Sequence, residues 1–316
     1  MNNEYLISNL AKEMFDKNSE KVLRDRQFGK IICEETLYTK QMYLKVFLEN
    51  FGNYDLRELK VREIETFLLN DNKHSSSWKN NFLDVIGNIY DETIWKCPVP
   101  IQKPKFQRFC RNSKKSDIFT EEELQKLFNP KIWENYKYFL LFKTMECCGL
   151  RSGEARGLKK NQFMFEKKCL LINGFCKRHG EKTTYNKKGS SENQKFRIVP
   201  IPSSLEKLLN PYVQNCDNES FIFSNDGIKP FSKDNIGRVL KKMLKKSGIN
   251  QEGRKLVPHS FRYTYVTKMR RLFSVEDVQK IAGHSSIEMT EYYTKQSVKD
   301  LVEQLKNINP IVNEIF

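Results

Sequence analysis

The apolar positions along the chain change period several times, and each change marks an element. From Thr36 onward Leu44, Phe47, Leu48 and Phe51 fall at i, i+3, i+4 and i+7, the spacing of one buried helix face, and Gly52 supplies a C-terminal stop. Val61, Ile64 and Leu68 form a second stripe. Behind a Ser75-Ser76-Ser77 cap, Trp78, Phe82, Val85, Ile86 and Ile89 form a third. Residues 33–108 are therefore expected to make a small all-helical domain. Residues 1–32 carry only a weak stripe through Leu6, Leu10 and Phe15 and are too few for a domain of their own.

A different pattern follows. Thr120-Glu121-Glu122-Glu123 reads as a capping box that starts a helix through Leu124 and Leu127, and a helix through Tyr138, Leu141 and Met145 ends at Gly149. Residues 168–175 and 197–202 read as strands flanking a basic, glycine-containing connection. Helices then return at 203–213, 232–247, 259–271, 275–282 and 298–308. The expected fold is mainly α with a small β-sheet: a helical N-terminal domain, a basic linker at 109–117, and a larger α+β domain over 118–316.

The length of 316 residues suits two domains, and 39% hydrophobic with 12% aromatic residues is enough for folded cores. Charge narrows the partner. Lys plus Arg number 55 against 39 Asp plus Glu, a net +16 that favours a polyanion, with nucleic acid ahead of an anionic membrane. No apolar run approaches the roughly 18–20 residues of a membrane span and the start lacks a leader pattern, so a soluble, cytoplasmic protein without a membrane partner is expected. The eight cysteines show neither a C-x-x-C pair nor zinc-finger spacing and read as reduced thiols. Residues 103–115 hold Lys103, Lys105, Arg108, Arg111, Lys114 and Lys115 with no acid, which fits a linker able to neutralise phosphates along a duplex.

The four histidines are at 74, 179, 259 and 284, and two of them sit in telling company. In Pro258-His259-Ser260-Phe261-Arg262, His259 and Arg262 are neighbours on the first turn of one helix, an anion-favouring end. Gly283-His284 follows, then Thr290-Glu291-Tyr292-Tyr293. Upstream, Gly149-Leu150-Arg151-Ser152-Gly153-Glu154 sets an arginine before a short helix. Together these residues describe phosphoryl transfer without a metal. Two guanidinium groups can grip the non-bridging oxygens of a phosphodiester, two imidazoles add hydrogen bonds and a proton site, and a tyrosine hydroxyl becomes a nucleophile once cations stabilise its oxyanion. The chain lacks a convincing carboxylate cluster for magnesium.

At these residues the chain resembles the tyrosine recombinases, the phage-integrase family that includes the Xer proteins. The family's first arginine follows Gly-Leu, as Arg151 does, with an acidic residue three positions on, as Glu154 is. Its His-x-x-Arg box matches His259 and Arg262, its Gly-His matches Gly283-His284, and its nucleophilic tyrosine, nine residues further, falls on Tyr293 rather than Tyr292. The family's hairpin lysine is matched loosely: the basic stretch 177–188 favours Lys188, with Lys187 close behind and Lys195 open. Ala282 and Tyr263 depart from the leucine and histidine often found there.

The resemblance implies roles. Tyr293 would attack the scissile phosphate, giving a 3′-phosphotyrosyl bond and a free 5′-hydroxyl. Arg151, Arg262 and His284 would hold the non-bridging oxygens, His259 would assist proton transfer, Lys188 would protonate the leaving oxygen, and Glu154 would orient the pocket. Neither cofactor nor metal is implied. The partners implied are double-stranded DNA and a homotetramer at synapsis, with room for an accessory excision or directionality factor. The helical domain would be the core-binding domain, and Arg238, Lys241, Lys242, Lys245 and Lys246 would add phosphate contacts. A separate arm-type domain is expected to be absent, and the apolar tail 308–316 is expected to dock on a neighbouring subunit. The rival readings are a type IB topoisomerase and a non-catalytic DNA-binding relative, and the biological task, whether integration or excision of a mobile element, inversion or resolution, stays open.

Overall fold

The computed structural model describes residues 5–30, 32–96, 101–110, 116–177, 180–183, 196–284, 287 and 290. It divides into two compact units, Met1–Ser113 and Lys114–Phe316. Among the described residues no helix is long and apolar enough to cross a membrane, and the seven described cysteines are free thiols.

The first unit is helical: α1 (Ile7–Ala11), α2 (Glu20–Gln27), α3 (Glu34–Phe51), α4 (Val61–Asn70) and α5 (Ser76–Lys96). The three stripes expected from the sequence bury Leu44, Phe47 and Phe51, then Ile64 and Leu68, then Phe82, Val85, Ile86 and Ile89. Aromatic rings join them. Phe47 meets Phe82 edge-on at 5.9 Å, and Trp78 stacks on Phe82 at 5.2 Å.

Two features of this unit differ from the expectation. Helices α1 and α2 are not a separate segment, because Ile7, Ala11, Met14, Phe15 and Val22 lie in the same core as α3 and α5. The buried face of α1 is Ile7 and Ala11 rather than Leu6 and Leu10. A short extended pairing sets that phase, with Ile7 N–H donating to Tyr54 O at 3.1 Å and Leu56 N–H to Tyr5 O at 3.0 Å. Second, the first part of the basic stretch, within the expected 33–108 domain, is packed and paired rather than open. Ile101, Phe106 and Phe109 pack on its core, and Asn80 bonds the Phe109 backbone through both amide atoms. Lys103 pairs with Asp91 at 2.6 Å and Arg108 with Asp84 at 2.7 Å, so these two cations, expected to be uncompensated, have partners.

The second unit opens with α6 (Glu121–Leu127), capped reciprocally by Thr120 and Glu123 as the sequence predicts. Helix α7 (Tyr136–Cys148) is apolar nearly all round, and Phe139, Leu140, Leu141, Phe142 and Met145 are buried, as a central core helix requires. It packs against α11 (Pro258–Arg270). A three-stranded antiparallel sheet follows the short helix α8 (Ser152–Arg156), in the order β1 (Phe163–Met164), β2 (Cys169–Ile172), β3 (Arg197–Pro200). Leu170 faces Val199 and Ile172 faces Arg197 across β2 and β3. The two-residue β1 was not expected, being too short to carry an alternation signal. Helices α9 (Ser203–Gln214), α10 (Lys233–Lys246) and α12 (Val275–Ala282) complete the unit. The expected helix at 298–308 and the tail 308–316 lie outside the described residues.

Gly149 shapes the end of α7. It has φ +61°, and a Cβ built there would lie 2.3 Å from the Tyr265 ring. Only glycine meets both demands without strain or a shift of the ring. Gly149→Ala is expected to lower the stability of the second unit by about 2 kcal/mol or more, seen as an earlier urea transition; an unchanged midpoint would show the turn to be tolerant.

Candidate active site

Gly149 ends α7, Leu150 is fully buried, and the chain re-enters helix at α8 with Arg151 in the capping position. Glu154 sits three residues on. Its carboxylate accepts from the Arg151 backbone N–H at 2.8 Å and from Arg151 Nη1 at 2.8 Å, so it both caps α8 and aims the arginine. From β3, Arg197 forks onto the same carboxylate, Nη1 to Oε1 at 3.0 Å and Nη2 to Oε2 at 2.8 Å. Glu154 is 2% exposed. Burial would raise its pKa, but the charges of Arg197, Arg151 and Arg262 outweigh that and hold the carboxyl well below the usual range.

Helix α11 supplies His259 and Arg262, which its first turn brings to one side. Arg262 is fully buried, donating through Nη1 to Gly149 O at 2.8 Å and through Nη2 to Ala282 O at 2.5 Å. His259 is half-buried and meets Tyr263 edge-on at 5.1 Å. It lines an open pocket of about 550 Å³ with Ser152, Lys233, Gly237, Arg238 and Lys241.

After α12, Gly283 adopts φ +65° and turns the chain so that His284 enters the site. Arg151 Nη2 donates to Gly283 O at 3.1 Å. His284 is 6% exposed, and its Nδ1 lies 2.9 Å from the hydroxyl of the fully buried Thr290, which fixes the ring. Burial, together with Arg262, Arg151 and Arg197, pushes the imidazole down to about 3, so His284 is neutral at neutral pH and interacts through hydrogen bonds rather than charge.

The structure thus brings Arg151, Glu154, Arg262 and His284 together, with His259 on the pocket beside Ser152. Tyr293, Lys188 and its alternatives Lys187 and Lys195, and the linker residues Arg111, Lys114 and Lys115 lie outside the described residues. Lys105 is exposed. The basic face of α10 divides in two: Arg238 and Lys241 line the pocket with His259, whereas Lys242 and Lys246 pair with Glu134 at 2.8 and 3.5 Å.

Three residues escaped the sequence reading. Arg197 was only the first residue of a strand, although it is in phase with the inward-facing Val199, a signal that alternation carries. Thr290 had no chemistry to recommend it. Lys182, one of many cations in the basic stretch, is half-buried, donates to Gln162 Oε1 at 2.6 Å, and is pushed by burial and by nearby Lys159 down to about 8.

Residues 117–300, more than half of the chain, match the family described as the phage integrase family. The chain belongs to that family, the tyrosine recombinases. Among its relatives, the tyrosine recombinase XerA of Pyrococcus furiosus is 29% identical over 205 residues, 62% of this chain and 63% of that protein. XerA of Thermococcus onnurineus is 25% identical over 276 residues, 84% of this chain and 86% of that protein. The fold resembles that of the Tn1549 transposon integrase in complex with transposon right end DNA, with a TM-score of 0.71, 15% identity, and coverage of 94% and 98% of the two chains. It also resembles the XerH site-specific recombinase bound to palindromic difH substrate, with a TM-score of 0.65, 19% identity, and coverage of 90% and 82%.

Two buried groups of this tyrosine recombinase site, Glu154 and His284, make stability fall with acid. Glu154 has a depressed folded pKa, so its contribution is present above the ordinary carboxyl range and is lost on acidification. His284 stays neutral when folded but takes a proton when unfolded below its ordinary value of 6.5, which favours the unfolded chain between 6.5 and about 3. The urea midpoint of the second unit is expected to drop as pH falls from about 7 to about 4, and His284→Gln to flatten the upper part of that slope. Equal slopes for both proteins would show that His284 titrates normally.

Proposed function

We propose that this tyrosine recombinase is a site-specific DNA recombinase that cuts and rejoins duplex DNA through a covalent phosphotyrosyl intermediate. The observation that carries the reading is the convergence of Arg151, Arg262 and His284, from three separate segments of the chain, around the buried Glu154 carboxylate. The guanidinium groups of Arg151, Arg262 and Arg197, with the one carboxylate, leave a net excess of two positive charges, which matches the two negative charges of a pentavalent phosphorane. Such a pocket favours the transition state over the singly charged phosphodiester.

In this reading Tyr293 attacks phosphorus, and the strand's 5′-oxygen leaves and takes a proton. Arg151 and Arg262 hold the non-bridging oxygens and neutral His284 donates to one of them. His259 handles the proton of the attacking hydroxyl, and Lys188 protonates the leaving oxygen. One phosphodiester replaces another, so attack by a second strand's 5′-hydroxyl reverses the chemistry and reseals DNA without an energy source. A transposon integrase solved in complex with transposon right end DNA and a site-specific recombinase solved bound to its difH substrate share this fold, which supports DNA as the substrate. Family membership is the support for homotetrameric synapsis, for Lys188 and for Tyr293, and the same support covers exchange of the tail 308–316 and an accessory excision or directionality factor.

Sheared genomic DNA from the source organism, incubated with the protein, should give covalent adducts that survive denaturation and share an end sequence, and Tyr293→Phe should abolish them. Adducts that persist in the variant would move the nucleophile to Tyr292. Tight binding without adducts from either protein would identify a DNA-binding relative without strand chemistry.

The division of α10 gives a second test. Lys241→Ala is expected to reduce the slope of log affinity for duplex DNA against log salt by about 1, and Lys242→Ala by less than half as much, since Lys242 already has Glu134 as a partner. Equal slopes for the two variants would place both lysines on the duplex alike.

A further inference from the structure

The last carbonyls of a helix have no partner within it and must find one elsewhere. At the end of α12 three arginines supply it in succession. Arg197 Nε donates to Ile281 O at 3.1 Å, Arg262 Nη2 to Ala282 O at 2.5 Å, and Arg151 Nη2 to Gly283 O at 3.1 Å. Two of these arginines belong to the phosphate-gripping set proposed above. The third, Arg197, has so far been counted only for its charge.

Arg197 is the most shared of the three. Its Nε holds α12 while its two terminal nitrogens fork onto Glu154 of α8, and its own backbone belongs to β3, so one planar group joins three elements. Its side chain is 9% exposed. The fit against the Gly-His turn is close: a Cβ at Gly283 would lie 3.0 Å from Arg197 Cδ. Glu154 in turn divides its oxygens evenly. Oε1 accepts from Arg151 Nη1 and Arg197 Nη1, and Oε2 from the Arg151 backbone and Arg197 Nη2. Without Arg197 the carboxylate would keep a single guanidinium partner, Arg151, and swing onto it, cancelling the charge that the phosphate needs. The carbonyl of Ile281 would lose its donor as well, loosening the turn that carries His284.

We infer that Arg197 is a positioning residue for DNA strand cleavage: it holds the Glu154 carboxylate and the C-terminal turn of α12 so that Arg151 and His284 meet the scissile phosphate from fixed places. The inference rests on the recombinase reading above. A lysine carries its three donors on one nitrogen and cannot reach both Glu154 oxygens and Ile281 O as the three nitrogens of Arg197 do, so the planar fork is the functional feature.

The test is single-turnover formation of the covalent adduct on a synthetic duplex carrying the end sequence recovered from the adducts above. Arg197→Met is expected to lower the rate constant at saturating DNA about 100-fold, with the half-saturating DNA concentration changed by less than about twofold. Arg197→Lys, which keeps the charge and protects the fold, is expected to fall between the two, near tenfold. A merely structural role predicts the opposite signature, a smaller adduct amplitude at an unchanged rate constant, because the folded fraction would react normally. That outcome, or a rate constant for Arg197→Lys equal to the unaltered protein's, would overturn the inference while leaving the recombinase reading intact. If the unaltered protein binds DNA and never forms an adduct, the functional reading fails and takes the inference with it.

Discussion

The buried carboxylate of Glu154 organises the site. A charge removed from water must be paired, and leaving one such partner unpaired costs about 3–5 kcal/mol. Here the pairing is distributed over Arg151 in α8 and Arg197 in β3, with Arg262 of α11 adding its charge from nearby. Satisfying that one group therefore forces a helix N-cap, a strand start and a core helix into register. The turn carrying His284 follows, since the same arginines hold the carbonyls at the end of α12.

The glycines on either side serve this arrangement. Gly149 and Gly283 both take left-handed conformations, and both present their carbonyls to the arginines, Gly149 to Arg262 and Gly283 to Arg151. Each glycine thus ends a helix and supplies an acceptor at a place where a side chain would collide with the Tyr265 ring in one case and crowd Arg197 in the other. The apolar core supports this from beneath: Phe139, Leu140, Leu141, Phe142 and Met145 of α7 are buried, and α11, which carries Arg262, packs against that helix.

Net charge is a coarser guide than the fold makes it look. Of the cations in the basic stretch, Lys103 and Arg108 are paired within the first unit, and on α10 Lys242 and Lys246 are held by Glu134 whereas Lys233, Arg238 and Lys241 line the pocket with His259. An excess of +16 signals a polyanionic partner, but only the three-dimensional neighbours say which cations face it.

The sequence alone determined most of the described helices and put forward several of the residues that the fold gathers. Periodicity and capping are local, so α3, α4, α5, α6 and α7 were legible from Leu44, Ile64, Phe82, Thr120 and Met145, as were the stops at Gly149 and Gly283. Arg151, His259, Arg262 and His284 were legible because their residue types and spacings are distinctive. Tertiary structure decided the rest. Whether α1 buries Ile7 or Leu6 depends on a backbone pairing with residues 54 and 56, far along the chain. Whether a strand arginine such as Arg197 is a solvated side chain or the clamp on Glu154 depends on a contact spanning 43 residues. The neutrality of His284 depends on burial and on three arginines from three segments. Local patterns report what a segment prefers, while protonation, pairing and aim are properties of neighbours that only folding brings together.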